Sequence, residues 1–468
     1  MLELKFKWVT LIKSISGIRG TIGGKVGENL TPIDTVRFAS AYGMWLKQRS
    51  QKLNPKVVIG RDARISGEMV TRLVVASLQS LNIDVVNLGL STTPTVELSV
   101  VAHEADGGII ITASHNPKEW NALKLLNEKG EFVNGEDGVQ ILDIAENDKF
   151  DFSQVDFLGE YQEDNTAMDN HVESVLMLAL VDVDVIRKKK IKVVVDAVNS
   201  TGGIIIPVLL EKLGVECIQL YCEPNGLFPH NPEPLAEHLQ DISKKVVEHG
   251  ADFGIVVDPD VDRLAIVNED GSMFGEEYTL VAIADYVLSK TLGNTVSNLS
   301  SSRALRDVTE KHGAKYYASA VGEVNVVETM KQYNAIIGGE GNGGVIYPES
   351  HYGRDSIVGI ALFLTHYAIQ GLGCKELRET YPSYFMSKNK IELNPSIDVD
   401  SILVNMKEKY KNEQVNTIDG VKIDFESEWV HLRKSNTEPI IRIYTESTSE
   451  DKAKMLALKI INEIKEII

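Results

Sequence analysis

The chain has 468 residues, 43% hydrophobic and 25% charged, the balance of an ordinary folded protein but too long for a single core. Its 67 acidic against 48 basic residues leave a net charge of −19, which argues against a nucleic-acid polyanion as main partner. No apolar run is long enough for a bilayer span, and Cys217, Cys222 and Cys374 fit no zinc, redox or disulfide pattern, so a reducing cytoplasm is expected.

In chain order, Glu3, Lys5, Lys7 and Lys13 break any signal-peptide core, and the fold is expected to start near Thr10 after a loose leader. Hydrophobic period and turn residues then predict a strand at Lys56–Gly60, a helix at Gly67–Asn82 and a strand at Asp84–Gly89. A helix at Pro94–Ala105 and a strand at Gly107–Thr112 complete this unit. A second unit repeats the order through Val193–Asp196, Gly202–Leu213, Val215–Tyr221, Leu235–Glu248 and Phe253–Val257. A third runs from the helix Tyr278–Leu292 through Val296–Ser300, Leu305–His312, Lys315–Ala318 and Val324–Gln332 to Ala335–Ile337. From about Glu376 the pattern changes to helix Val399–Tyr410, strands Val421–Phe425, Trp429–Leu432 and Ile440–Tyr444, and a final helix Asp451–Ile467. Tyr381–Asn394, with Pro382 and no clear period, is expected to contain the boundary. The expected fold is α/β: three similar α/β domains with mixed, largely parallel sheets and a C-terminal α+β domain, around a central cleft. The expected limits are 1–160, 161–260, 261–375 and 376–468.

The last strand of each unit runs into a polar or glycine-rich loop, where open α/β sheets bind ligands. In Thr112-Ala113-Ser114-His115-Asn116-Pro117 a buried strand ends by presenting one hydroxyl, so Ser114 is a candidate covalent group. His115 is expected to orient that loop by hydrogen bonds. No Gly-x-Ser-x-Gly elbow surrounds Ser114, which argues against a serine-hydrolase triad. In Asp258-Pro259-Asp260-Val261-Asp262-Arg263, carboxylates at alternate positions face one side of an extended segment. Oxygen ligands without Cys or His suit Mg²⁺. The loop Gly338–Gly344 surrounds Glu340 and Asn342 with glycines, which permits close approach of a ligand whose hydroxyls or amine these two can bind. Arg433-Lys434-Ser435-Asn436-Thr437-Glu438-Pro439, with Arg442 beyond, concentrates donors suited to phosphate oxygens. Arg19, Arg61, Arg64 and Lys124 add cations near strand ends.

These four loops, in this order, resemble the α-D-phosphohexomutase superfamily over nearly the whole chain from about Ile12. The resemblance implies that Ser114 is the phosphoserine, and that Asp258, Asp260 and Asp262 bind one Mg²⁺ together with its phosphate. It places Glu340 and Asn342 in the sugar-recognition loop, with Glu323 at a sugar-contacting position where many bacterial members carry His. Arg433, Ser435, Asn436, Thr437 and Arg442 match the loop for the non-reacting phosphate. Arg19, Arg61 and Lys124 match catalytic cations, and His115 and Arg263 are grouped with them. Phe228–Pro234 also resembles a family stretch. The loop ends Asn342-Gly343-Gly344 rather than Ser-Gly-His, and Ala122 replaces a usual glycine, so the chain is nearer to archaeal-type members.

The implied activity interconverts hexose 6-phosphate and hexose 1-phosphate through a sugar 1,6-bisphosphate, which also serves as activator. Glucosamine phosphate is the preferred substrate, with a glucose/mannose enzyme of mixed specificity as the alternative. A Mg²⁺-dependent sugar-phosphate phosphatase is the reading from another class, and a sugar-phosphate scaffold the non-catalytic one. The expected partner is a phosphorylated hexose, with neither nucleic acid nor membrane, in a cytoplasmic monomer or homodimer.

Overall fold

The computed structural model describes residues 9–14, 17–392, 397–434 and 440–467. They fall into two compact units, one drawn from residues 9–279 with 344–375 and the other from 280–343 with 376–467.

The larger sheet of the first unit has seven strands, in the order Ile12–Ser14, Gly17–Thr21, Trp120–Leu126, Gly107–Ile111, Lys56–Arg61, Asp84–Leu90 and Tyr161–Glu163. The last four run parallel; the first three are antiparallel additions. Side chains alternate across the sheet. Val57, Ile59, Ile109 and Ile111 join the core that contains Phe38 and Trp45, while Val58 and Ile110 join the one that contains Val96 and Val100. Both faces are therefore covered, which explains why the central strand reads as an unbroken apolar run. Each fully buried isoleucine there contributes about 1.5–3 kcal/mol of apolar burial. The helix Pro32–Arg49 starts at a capping box between Thr31 and Asp34, with Pro32 in the first turn.

A second sheet orders Leu264–Asn268, Phe253–Val257, Lys192–Asp196 and Glu216–Leu220. Leu264–Asn268 pairs antiparallel with Phe253–Val257, so the limit expected between residues 260 and 261 cuts a hairpin. The metal-motif loop is the turn of that hairpin rather than the end of a domain.

In the second unit, Tyr316–Ser319, Asn294–Asn298 and Ala335–Glu340 lie side by side and parallel. The tail is an antiparallel sheet of Phe385–Glu392, Ile440–Ser447, Trp429–Lys434, Val421–Asp424 and Gln414–Asn416. Helices Val399–Lys409 and Glu450–Ile467 cover its apolar face through Met406, Val430, Leu432, Ile441, Ile443 and Ile460. The segment expected to be an aperiodic boundary thus contains a strand, Phe385–Glu392. It lies at the sheet edge and is largely polar, so it lacks the apolar alternation of a half-buried strand.

Candidate active site

Two strand ends of the first unit meet. Gly107–Ile111 delivers the Ser114 loop and Phe253–Val257 delivers the acidic loop, and Ser114 Oγ donates to Asp258 Oδ2 at 2.6 Å. Ser114 is only 7% exposed and sits at φ 47°, a left-handed conformation for a residue with a Cβ. Arg64 holds it there. Its fully buried guanidinium donates to the carbonyls of Ser114, Asn116, Pro117 and Trp120 and pairs with Asp62 at 3.0 Å. Asp62 also accepts from Thr112 Oγ1, which in turn accepts from Ser114 N–H.

Asp258, Asp260 and Asp262 are fully buried, with one oxygen from each within 4.8 Å of the others. Oδ1 of Asp260 and Oδ1 of Asp262 are buried without a hydrogen-bond donor. Their second oxygens are occupied: Lys124 Nζ reaches Asp260 Oδ2 at 2.7 Å and Asp262 Oδ2 at 3.2 Å. Thr93 Oγ1 donates to Asp260 Oδ2 at 2.5 Å, and Arg354 Nη2 donates to Asp262 Oδ2 at 2.6 Å. Asp258 Oδ1 accepts from the N–H groups of Asp262 and Arg263. Buried carboxylate oxygens turned inward without donors fit a hard cation such as Mg²⁺.

Charge balance follows the same geometry. Burial, then the neighbouring Asp262 and Asp260, pushes Asp258 well above the usual carboxylate range. Burial opposes ionisation of Asp262 too, but Arg354, Lys124 and Arg263 overcome it and hold that carboxyl below its usual range. Lys124 is raised although burial opposes its charge, because Asp260 and Asp262 flank it. His115 Nδ1 lies 3.4 Å from Ser114 Oγ, and burial together with the charge of Arg263 lowers its pKa to about 2. It is a neutral imidazole at working pH.

Arg19 lies on Gly17–Thr21, which pairs with the strand carrying Lys124. That pairing needs Gly17: at φ 147°, a Cβ there would lie 2.2 Å from Leu123 O. Arg61 pairs with Glu68 at 3.1 Å. The Phe228–Pro234 segment braces the site, with Phe228 under Arg64 (5.1 Å), His230 on Asp196 (3.0 Å) and Glu233 beside Arg263 (3.7 Å).

The second unit carries the other candidates. Glu340 ends its strand, is 6% exposed, and accepts from Asn298 Nδ2 at 2.9 Å and Gly322 N–H at 3.3 Å. Gly322 immediately precedes Glu323, the first residue of the helix Glu323–Gln332 and itself buried. Asp419 links this turn to the tail, accepting from Val321 N–H at 3.0 Å and pairing with Arg433 at 2.9 Å. Arg433 faces Arg442 across the tail hairpin, and Arg442 faces Lys390. Three cations thus share one row of one face. Ser435, Asn436 and Thr437 lie outside the described residues.

Family models for phosphoglucomutase/phosphomannomutase α/β/α domains I, II and III and for the C-terminal domain match residues 11–152, 169–271, 275–384 and 396–463. The chain belongs to this family. As a phosphohexomutase it is an isomerase of carbohydrate metabolism. It is 35% identical over 453 residues to the phosphoglucomutase/phosphomannomutase of Thermococcus kodakarensis, covering 95% of this chain and 98% of the relative. It is 31% identical to the phosphoglucosamine/phosphogalactosamine mutase of Sulfurisphaera tokodaii, covering 97% and 98%. The crystal structure of a phosphoglucomutase/phosphomannomutase family protein from Burkholderia thailandensis shares the fold, with a TM-score of 0.84, 24% identity and 98% coverage of both chains. No helix among the described residues of this phosphohexomutase is long and apolar enough to cross a membrane.

Sequence reasoning did not single out Thr93, Arg354, Lys390 or Asp419, and it gave Arg64 no role. Arg354-Asp355 ahead of the apolar helix Ser356–Gln370 was a readable cap signal, since Asp355 accepts from the N–H groups of Ile357 and Val358. Its partner Asp262 was not readable, because nothing local specifies a contact at that sequence distance.

Proposed function

We propose that this phosphohexomutase interconverts glucosamine 6-phosphate and glucosamine 1-phosphate through a phosphorylated Ser114 and a sugar 1,6-bisphosphate. The carrying observation is Ser114 Oγ at 2.6 Å from Asp258, within a buried three-carboxylate cluster balanced by Lys124. Asp258, Asp260 and Asp262 would hold one Mg²⁺, which supplies charge stabilisation to the phosphoryl oxygens in transfer.

The step breaks the phosphorus–Oγ bond of phosphoserine and forms a phosphorus–oxygen bond to the sugar hydroxyl, whose proton leaves to a base. The sugar bisphosphate then turns end for end. Its other phosphate returns to Ser114 Oγ, and the sugar oxygen left behind regains a proton. Lys124, Arg19 and Arg263 bring positive charge to the phosphoryl group, and Arg64 fixes the loop. Neutral His115, 3.4 Å from Oγ, orients the serine. Arg61, paired with Glu68, acts outside this set.

In the second unit, Arg433 and Arg442 bind the phosphate that is not reacting, together with Ser435, Asn436 and Thr437. Asn342 contacts sugar hydroxyls. Glu340, bonded to Gly322 N–H, and Glu323, the next residue in the chain, support an amino sugar, because carboxylates near carbon 2 favour an ammonium over a hydroxyl. That preference is about 1–2 kcal/mol, or roughly tenfold. Phosphoglucosamine mutase is also the commonest name among the relatives. The name of the Thermococcus relative favours the second reading, a glucose/mannose enzyme of mixed specificity. Cys217, Cys222 and Cys374 are free thiols, which suits a reducing cytoplasm, and the sugar bisphosphate serves as activator. No nucleic acid or membrane enters this reading, and a monomer or homodimer suffices.

The test is the ratio of kcat/KM for glucosamine 6-phosphate against glucose and mannose 6-phosphates, with a trace of each bisphosphate. A preference for glucose or mannose overturns the sugar assignment alone. Release of inorganic phosphate without isomerisation would point to a phosphatase.

A further inference from the structure

We propose that Arg354 is a positioning residue of the metal centre: it reserves Oδ2 of Asp262 so that only Oδ1 faces the ion. The inference rests on the metal-binding reading of the three aspartates. Arg354 is 7% exposed, and its Nη2 donates to Asp262 Oδ2 at 2.6 Å. The opposite oxygen, Asp262 Oδ1, is buried without a hydrogen-bond donor. Lys124 Nζ shares Oδ2 at 3.2 Å, and Arg263 Nε lies 3.9 Å from Oδ1, so Oδ2 is committed to protein while Oδ1 keeps no hydrogen-bond donor.

The backbone that directly follows Arg354 is fixed twice. Asp355 N–H donates to Val345 O at 2.8 Å, and Ser356 N–H donates to Val261 O at 3.2 Å. Val261 lies inside the acidic loop at φ 64°, a conformation a β-branched residue adopts only under constraint. Asp355 is gripped by His171 at 2.9 Å and His351 at 3.1 Å, and His351 reaches Glu97 at 3.2 Å. The segment that follows the sugar loop in sequence therefore carries a charge, anchored by a buried ion network, onto the metal loop.

A carboxylate with both oxygens open can chelate a cation through both and loosen the geometry around it. Arg354, the shorter of the two contacts to Oδ2 beside that of Lys124, opposes this, and its positive charge also opposes the cation. Orientation is gained at the expense of affinity, a trade that a passive strut would not make. Removing Arg354 should therefore separate binding from turnover.

The test is Mn²⁺ binding to the full-length protein, followed by the electron paramagnetic resonance signal of the free ion, alongside mutase kcat. Arg354→Ala should bind Mn²⁺ roughly threefold more tightly than wild type, because a nearby cation is gone. Its kcat should fall about tenfold or more. Arg354→Lys keeps the charge but not the planar fork. It should retain wild-type Mn²⁺ affinity with reduced kcat, and it decides the question if the alanine variant does not fold. Unchanged kcat in a folded Arg354→Ala protein would overturn the proposal. So would a parallel loss of affinity and turnover, as expected of Asp262→Asn, which would make Arg354 a strut. If Asp262→Asn bound Mn²⁺ as wild type does, the metal assignment itself would fail and the proposal with it. Weakened binding in Asp262→Asn with no separation in Arg354→Ala would sink the positioning role alone.

Discussion

At the scale of single residues, Ser114 occupies a left-handed backbone region that costs a non-glycine residue on the order of 1–3 kcal/mol, so its surroundings must over-determine it. Arg64 does so by donating to four carbonyls of the loop and its continuation, with Asp62 neutralising its charge. Arg64→Met would leave Asp62 charged, buried and unpaired. Urea unfolding should show a loss of about 3–5 kcal/mol. Near-wild-type KM with reduced kcat should accompany it, since Arg64 positions the serine rather than the sugar. Ser114→Ala should retain stability but lose mutase turnover, and intact-mass analysis of wild-type protein should find phosphate on Ser114. Full turnover by Ser114→Ala would end the covalent mechanism. Ser114 and the three aspartates were legible because each follows a buried strand and offers chemistry that a plain turn does not need. Arg64 was harder to read: Arg-Asp-Ala-Arg offers two cations, and only packing shows that Arg61 takes Glu68 while Arg64 takes the loop.

At the scale of elements, cross-strand register creates features that no sequence window contains. Lys390, Arg442 and Arg433 stand opposite one another on three neighbouring strands. Like charges facing across strands are unfavourable without anions, and Asp419 on Arg433 and Glu392 beside Lys390 balance the two outer members of the row. This row supports the phosphate reading of the tail loop and adds Lys390 to it. Arg442→Ala should raise KM for hexose phosphates roughly five- to tenfold. Lys390, more exposed, should give about two- to threefold. Equal KM in both variants would remove the row from substrate binding. The strand carrying Lys390 escaped sequence reading because an edge strand needs no apolar alternation, and Gly17–Thr21 escaped because glycines and Arg19 mask its period. The helix Ser356–Gln370 depends on a different assembly. His351 is raised to about 10, with burial opposing and hydrogen bonds to Asp355 and Glu97 dominating. A raised histidine stabilises fully below its ordinary value of 6.5 and loses that contribution as pH rises through about 10. Thermal stability should therefore decline from neutral pH towards pH 10, and His351→Gln should flatten the decline. An equally steep decline in His351→Gln would assign it to other groups.

At the scale of the whole molecule, chain order and folded unit differ. Alternating strands and helices were enough to read three α/β domains and a tail, because period and punctuation are local properties. The division into two units is not local: 280–343 folds with 376–468, while 344–375 returns to the first unit. Within the second unit the tail is tied to the preceding sheet through buried charges. Arg303 donates to the backbone carbonyls of Phe425, Glu426 and Glu428 and pairs with Asp424 at 3.2 Å, and its own N–H donates to Glu446. Lys422 donates to Leu299 O at 2.9 Å over the ring of Trp429, and His431 meets Ser300 at 2.9 Å. A tail that folded independently would not need so many buried polar bonds to its neighbour. Removing residues 376–468 would leave Arg303 and the carbonyl of Leu299 without these partners, and such groups cost about 1–3 kcal/mol each when they stay buried. The truncated chain should therefore lose hydrogen-exchange protection across 294–340. The strands Lys56–Arg61 and Gly107–Ile111, which belong to the other unit, should remain protected. Exchange followed by mass spectrometry on both forms checks this. Unchanged protection of 294–340 after truncation would mean that the tail is a separate folding body.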